Sequence, residues 1–176
     1  MKMLQLSFLA IALLITGIAR ADVSEGELAP GFELPDQTGK IHTLEQYKGQ
    51  WVVLYFYPKN DTPGCTTQAC EFRDNIFAFR RLNATILGVS FDDVDSHKEF
   101  ADEYNLPFAI LADTDGQAVD AYGVRGGFGI MDIAKRQTFI ISPDGKVARH
   151  YEKVDPDEHS AEVIAELERL SSAAES

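Results

Sequence analysis

Long apolar runs dominate the middle of the chain. Three of them, 51–57, 85–91 and 108–112, are apolar at nearly every position, and a fourth covers 137–142. Short runs that are apolar throughout are typical of strands buried on both faces of a sheet. We therefore expect four central strands that lie inside the molecule.

Between these runs the apolar residues recur at helical spacing. Phe72, Ile76, Phe79 and Leu82 form one stripe, which predicts a helix over 66–82. Further helices are expected over 95–104, with Asp95 or Ser96 as its cap, and over 117–122. A last helix, opened by Pro156 or Asp157, carries Val163, Ile164, Leu167 and Leu170 on its inner face.

Two hairpins are predicted at opposite ends of this pattern. Residues 32–34 and 41–43 flank a turn-rich loop, and 146–152 follows a Pro-Asp-Gly turn and pairs back onto strand 137–142. The glycine-rich stretch 125–135 is expected to be a flexible loop.

The order of elements sets the fold class. Strands that alternate with helices are joined in parallel, and the late hairpin adds antiparallel strands. We predict an α/β protein with a thioredoxin-like fold: a central mixed β-sheet flanked by helices, with an N-terminal β-hairpin. It forms one domain over 22–176.

Residues 1–21 have the character of a secretory signal peptide. Met1-Lys2-Met3 is a short positive start, 4–18 is almost wholly apolar, and Ala19-Arg20-Ala21 fits a cleavage site. The apolar run is shorter than the roughly 20 residues of a membrane span. We expect cleavage after Ala21, a periplasmic or secreted protein, and no membrane attachment after cleavage.

Charge excludes some partners. The 176-residue chain has a formal net charge of −12. Nucleic acids and anionic membrane surfaces need clustered Lys and Arg on the protein. Neither is expected as a partner.

Both cysteines of the chain fall just after the first buried run. Pro63 and Gly64 suit a helix entry, which puts Cys65 in the first turn of the helix. Unpaired backbone N–H groups and the positive end of the helix dipole meet a thiol there, and both favour the thiolate. Cys65 is therefore a candidate nucleophile.

The second cysteine, Cys70, lies five residues on. Along a helix that spacing corresponds to about 7.5 Å of rise and about 140° of rotation. Cysteines whose Cα atoms are more than about 7 Å apart cannot be bridged without backbone movement. A disulfide between them would require the start of the helix to unwind, which does not suit a permanent structural bridge.

A family resemblance rests on this segment. Pro58, Thr62 and Cys65 match the pattern P-x-x-x-T-x-x-C, and the longer string YFYPKNDTPGCTTQACEFRDN resembles the active-site segment of peroxiredoxins. It is most similar to the bacterioferritin comigratory protein, or Q-type, branch, in which the second cysteine has this spacing. The similarity extends over about 26–170.

The resemblance implies a thiol-dependent peroxidase that acts on hydrogen peroxide and organic hydroperoxides. Cys65 would form a sulfenic acid, and Cys70 would resolve it as an intramolecular disulfide that a thioredoxin-like donor reduces. It also implies catalytic roles for Thr62, Pro58 and Arg136, with Arg73 and Arg125 as rival cations. It suggests a monomer, and no cofactor or metal is expected.

Two other functions stay open. A copper-binding thioredoxin-fold protein would use the cysteines and a histidine, but His42, His97, His150 and His159 have no short metal-ligand spacing to either cysteine. A thiol–disulfide oxidoreductase would be expected to show C-x-x-C at this helix start, where the chain has C-x-x-x-x-C.

Overall fold

The computed structural model describes residues 23–128 and 131–174. The strands are β1 (Glu33–Pro35), β2 (Ile41–Thr43), β3 (Trp51–Phe56), β4 (Ala84–Ser90), β5 (Ala109–Ala112), β6 (Arg125–Phe128), β7 (Met131–Ala134), β8 (Gln137–Ile141) and β9 (Val147–Tyr151). The helices are α1 (Pro63–Asp74), α2 (Ile76–Arg81), α3 (Val94–Tyr104), α4 (Gln117–Ala121) and α5 (His159–Ala174), with a 3₁₀ turn at Leu44–Tyr47. The predicted signal peptide lies outside the described residues. Among the described helices, none combines the length and apolar character needed to cross a membrane.

Five strands form the central sheet, in the order β5-β4-β3-β8-β9. The pairs β3–β4 and β4–β5 are parallel, and β8 is antiparallel to both β3 and β9. The predicted thioredoxin-like fold with a mixed sheet is therefore confirmed. Strand β3 is central, and from Val52 to Phe56 every residue is at most 1% exposed. This double burial explains its continuous apolar sequence.

Each face of the sheet supports its own apolar core. Leu54 and Phe56 point into one core, with Tyr122 and Phe139. Residues that alternate with them in β3 point into the other core, together with Cys65 and residues of α1, α3 and α5. The period of two along β3 thus sends one set of side chains toward the cysteines.

The N-terminal hairpin is confirmed, because β1 and β2 pair antiparallel with Leu34 opposite His42. The described part of the glycine-rich stretch 125–135, however, forms two strands and not the expected loop. Strands β6 and β7 pair antiparallel, with Arg125 opposite Ala134. Glycines weaken the sequence signal of a strand because they have no side chain, and here pairing with a partner strand outweighs the low propensity.

The helix predicted over 66–82 begins earlier and breaks at Asn75. The Asn75 backbone has φ −98° and ψ 9°, and its side-chain Nδ2 donates to the Glu71 carbonyl at 3.0 Å. Asparagine competes with the backbone for such hydrogen bonds and so tends to end helices.

Two other helix starts also differ from expectation. Helix α3 is capped by Asp93, whose carboxylate accepts from the Ser96 N–H, and not by Asp95 or Ser96. Helix α5 begins at His159, after a turn that includes Pro156 and Asp157.

Acid should destabilise this fold through two buried histidines. His97 and His159 are 0% exposed, and burial lowers the pKa of both below 6.5. In the unfolded chain they titrate near about 6.5, so as pH falls the unfolded state binds protons first. We expect the free energy of unfolding, measured by urea denaturation, to fall between pH 7.5 and 5.5.

The variant His159→Gln should lose less stability over the same pH range, because one of the two groups is gone. A free energy of unfolding that does not change between pH 7.5 and 5.5 would contradict this account.

Candidate active site

Cys65 lies beyond the carboxyl end of the central strand β3. The chain passes from Tyr57 through a five-residue loop and enters α1 at Pro63, so that Cys65 is the third residue of the helix. Its backbone N–H donates to the Thr62 carbonyl at 3.0 Å, and its side chain is 1% exposed. The expected position in the first helical turn is confirmed. A thiolate here is stabilised by the helix dipole.

Arg136 directly precedes β8, the strand that pairs with β3, and its side chain reaches Cys65. Its Nη2 donates to the Cys65 Sγ at 3.2 Å. The other terminal nitrogen, Nη1, donates to the Gln68 Oε1 at 2.6 Å and to the Gly64 carbonyl at 3.3 Å. A guanidinium is planar and always charged, so these contacts hold a fixed positive charge against the sulfur.

Gln68 is a site residue that sequence reasoning missed. It lies three residues after Cys65, on the same side of α1, and is 1% exposed. Its Oε1 fixes Arg136, while its buried Nε2 has no hydrogen-bond partner. Spacing on the helix was the available signal, because positions i and i+3 share a face.

Gly64 leaves room for the guanidinium. A Cβ added at this position would lie 3.2 Å from the Arg136 Nη2 and 3.5 Å from the Pro156 Cγ. That spacing to Nη2 is tighter than ordinary van der Waals contact. Any larger residue at Gly64 would therefore press on the arginine that contacts Cys65.

Thr62 and Pro58 flank the approach to Cys65. The Thr62 hydroxyl donates to the Lys59 carbonyl at 3.1 Å, and the Thr62 carbonyl accepts from Cys65 and Thr66. Pro58 directly follows the buried Tyr57 and is itself half-buried. The resemblance implies that Thr62 donates to the sulfur or to a substrate and that Pro58 shields the sulfur from water, and both roles stay predictions.

Cys70 lies on the same helix as Cys65, and both are free thiols. Cys70 is half-buried, and the Arg73 side chain lies beside it. Arg73 also donates through Nη1 to the Tyr104 carbonyl at 2.8 Å, which ties this part of α1 to the end of α3. With α1 intact, the predicted disulfide cannot form.

A buried tyrosine faces both cysteines. Burial raises the pKa of Tyr55, and the neighbouring Cys65 and Cys70 act in the same direction. The Tyr55 hydroxyl has no hydrogen-bond partner and packs against Gly88, where an added Cβ would be 2.7 Å away. Tyr55 therefore stays a neutral phenol beneath the thiols.

Comparison with known proteins identifies the family of this chain. The AhpC/TSA family model matches residues 26–150. Peroxiredoxin Bcp of Bacillus subtilis (strain 168) is 41% identical over 151 residues, which cover 83% of this chain and 96% of that protein. The chain is a peroxiredoxin of the AhpC/TSA family.

Solved structures of this branch are similar as well. Peroxidoxin BcpB of Mycobacterium tuberculosis is 35% identical with a TM-score of 0.77, over 82% of this chain and 96% of that one. A bacterioferritin comigratory protein of Xanthomonas campestris, studied for alkyl peroxide reduction, is 33% identical with a TM-score of 0.76, over 80% of this chain and 92% of that one. The predicted branch is confirmed, and the peroxiredoxin is an enzyme, a thiol-dependent peroxidase.

The rival cations have other partners. In this peroxiredoxin Arg125 pairs with Asp120 at 2.6 Å and Asp132 at 2.8 Å, and its guanidinium lies over the Phe91 ring. Arg73 contacts Cys70 and the end of α3. Among these three arginines, Arg136 is the one that the structure places on Cys65.

The copper-binding alternative has no support in the part of the peroxiredoxin that the structure describes. There, no three His, Cys, Asp or Glu side chains are grouped so that they could hold a metal ion. The ring nitrogens of His42 and His97 have hydrogen-bond partners inside the protein.

The reactivity of Cys65 should depend on the forked shape of Arg136. Arg136→Lys keeps the charge but cannot contact Gln68, Gly64 and the sulfur in one plane. We expect the rate of alkylation of Cys65 by iodoacetamide at pH 7 to fall roughly tenfold, as for the loss of one strong charge-assisted contact. The rate is measured by mass spectrometry of the Cys65 peptide.

The matched control is Arg125→Lys, which changes an arginine paired elsewhere and should leave the alkylation rate unchanged. Equal rates in the two variants would show that the Arg136 contact does not activate the thiol.

Proposed function

We propose that this peroxiredoxin reduces hydrogen peroxide and organic hydroperoxides with the Cys65 thiolate as the nucleophile. The observation that carries the proposal is the Arg136 Nη2 at 3.2 Å from the Cys65 Sγ, at the N-terminus of α1. The charge and the helix end both stabilise a thiolate. The Xanthomonas relative, studied for alkyl peroxide reduction, supports organic hydroperoxides as substrates.

The first step oxidises the sulfur. The thiolate attacks one peroxide oxygen, the O–O bond breaks, and Cys65 becomes a sulfenic acid. The second oxygen leaves with the electron pair of the broken bond and takes up a proton, so that water or an alcohol forms. Arg136 holds donors and a positive charge where this negative charge develops. The Thr62 hydroxyl, which donates to Lys59 in this structure, would turn toward the peroxide.

The second step joins the two cysteines. The Cys70 sulfur attacks the sulfenic sulfur, and water leaves as the disulfide forms. The first turns of α1 must unwind, because both residues lie on this helix. Unwinding breaks the Arg136 contacts to Gly64 and Gln68. A thioredoxin-like dithiol then reduces the disulfide by exchange, becomes oxidised itself, and restores both thiols.

The place of action is also part of the proposal. Residues 1–21 have the charge, apolar run and small-residue cleavage site of a signal peptide. The protein would work as a monomer in the periplasm or outside the cell. Its electron donor would have to be present there too.

Replacement of Cys70 should separate the two steps. Cys70→Ser is expected to consume about one equivalent of peroxide per chain and then stop or over-oxidise, because the sulfenic acid has no resolving partner. Peroxide consumption and protein mass are followed on the chain from Asp22, with a thioredoxin-type donor. Cys65→Ser is the matched control and should consume none beyond the rate of free cysteine. Normal multiple turnover by Cys70→Ser would exclude Cys70 as the resolving cysteine.

Export should remove the signal peptide, residues 1–21. When the full chain is expressed in a Gram-negative host, the protein in the periplasmic fraction is expected to begin at Asp22. N-terminal sequencing gives the answer, and substitution of Ala19 and Ala21 by large residues should block the cut. Uncut protein that stays in the cytoplasm would contradict the proposed location.

A further inference from the structure

A buried hydrogen-bond network lies beneath the loop that leads to Cys65. It joins the end of β3, the loop, the end of β4 and the first turn of α3. Its side chains are those of Tyr57, Asn60, Ser90, Asp92, Ser96 and His97. Tyr57 packs in the same apolar core as Cys65, but no hydrogen bond described here joins the network to the sulfur, and the proposed chemistry does not use these residues.

Asn60 is the centre of this network. It is only 4% exposed. Its Oδ1 accepts from the Tyr57 hydroxyl at 2.7 Å, and its Nδ2 donates to the Ser96 Oγ at 2.9 Å and to the His97 Nδ1 at 3.0 Å. Its backbone N–H donates to the Asp92 Oδ2 at 3.0 Å. One loop residue is therefore held from three separate elements.

His97 has a defined tautomer in this arrangement. Its Nε2 lies 3.2 Å from the Leu111 carbonyl, which can only accept, so Nε2 carries the proton. Nδ1 is then the acceptor for Asn60. Burial lowers the pKa of His97, although the carboxylates of Asp92 and Asp93 act in the opposite direction. The ring is thus kept neutral, and the Nδ1 lone pair accepts the hydrogen bond from the Asn60 side chain of the loop.

The network reaches Cys65 through three consecutive residues. After Asn60, the Asp61 backbone has a positive φ of 57°, a left-handed conformation that costs a non-glycine residue about 1 kcal/mol or more. This turn aims Thr62 into α1, where the Thr62 carbonyl accepts from Cys65 at 3.0 Å. Such a conformation persists when its surroundings hold it, and Asn60 supplies that hold.

We propose that Asn60 and His97 are positioning residues, which fix the loop so that Thr62 and the Cys65 sulfur meet the peroxide in a reactive geometry. This inference rests on the proposed peroxidase function and deepens it. The hydrogen bond between the two side chains links the loop to α3. Its loss lets Asp61 relax and moves Thr62 away from the sulfur.

Two substitutions of His97 can isolate that hydrogen bond. His97→Asn puts an amide oxygen near the position of Nδ1 and keeps an acceptor for Asn60. His97→Gln puts an amide nitrogen near the position of Nε2 and keeps the donor to Leu111 while losing the acceptor. Both remove the ring and both leave one hydrogen bond, so their stabilities should be similar. Asn60→Ala removes the centre of the network itself.

The experiment measures the second-order rate constant for loss of the Cys65 thiol with hydrogen peroxide, together with the unfolding temperature. Misplacement of reacting groups by about 1 Å can cost roughly 100-fold in rate. We expect His97→Asn to stay within about twofold of the parent chain, and His97→Gln and Asn60→Ala to fall by about tenfold or more. Thr85→Val is the control and should not change the rate. It removes a hydrogen bond to Gln50 at the end of the strands far from Cys65.

The outcomes separate this inference from the proposed function. If the parent chain itself reacts no faster than free cysteine, the peroxidase function fails. If the parent reacts fast and His97→Gln is as fast as His97→Asn, or Asn60→Ala matches the parent, the positioning role is overturned. If His97→Gln and Asn60→Ala are slow, His97→Asn is not, and the two His97 variants have equal unfolding temperatures, a merely structural role is excluded.

Discussion

The contact of Arg136 with the first turn of α1 is the interaction on which the site depends. It exists because β8 runs antiparallel to β3, with Gln137 opposite Phe56. That register places Arg136 beside the carboxyl end of β3, where the chain leaves the sheet and leads to Cys65. One guanidinium then contacts a sulfur, an amide oxygen and a carbonyl. The mixed sheet therefore does more than supply a core. Its antiparallel pair β3–β8 places the positive charge of Arg136 beside the Cys65 thiol.

The same contact sets up a conflict between two requirements. In the proposed cycle, attack on peroxide needs α1 folded, because Gly64, Cys65 and Gln68 must all face Arg136. Disulfide formation needs the same turns unwound. The folded state carries two buried orphan groups there, the Gln68 Nε2 and the Tyr55 hydroxyl. A buried unpaired polar group costs about 1–3 kcal/mol. At Gln68, which lies on α1, this cost reduces the advantage of the folded helix over the unwound one.

Sequence reasoning succeeded where one segment carries its own signal. The continuous apolar runs identified the strands, and the proline-glycine entry placed Cys65 in a helical turn. It failed where the pairing of two separate segments decides the structure. Arg125 and Ala134 pair as strands through glycines. Asn60 and His97 meet across 37 residues. Neither contact leaves a period or spacing in the chain, and a buried asparagine looks like any turn residue before its partners are known.

In the proposed redox cycle, the break at Asn75 limits how far the helix unwinds. Because α1 ends there and α2 begins anew, unwinding of α1 has a natural stopping point at Asn75, which leaves α2 and its buried Phe79 folded. Cooperative units of this size open without the rest of a domain. The oxidised form should therefore differ from the reduced form in amide-exchange protection over one helix while the sheet keeps its protection. The reduced form would then have a folded α1 and the oxidised form an unwound one. A reducing partner could recognise the oxidised form by the conformation of this segment, before it contacts the disulfide.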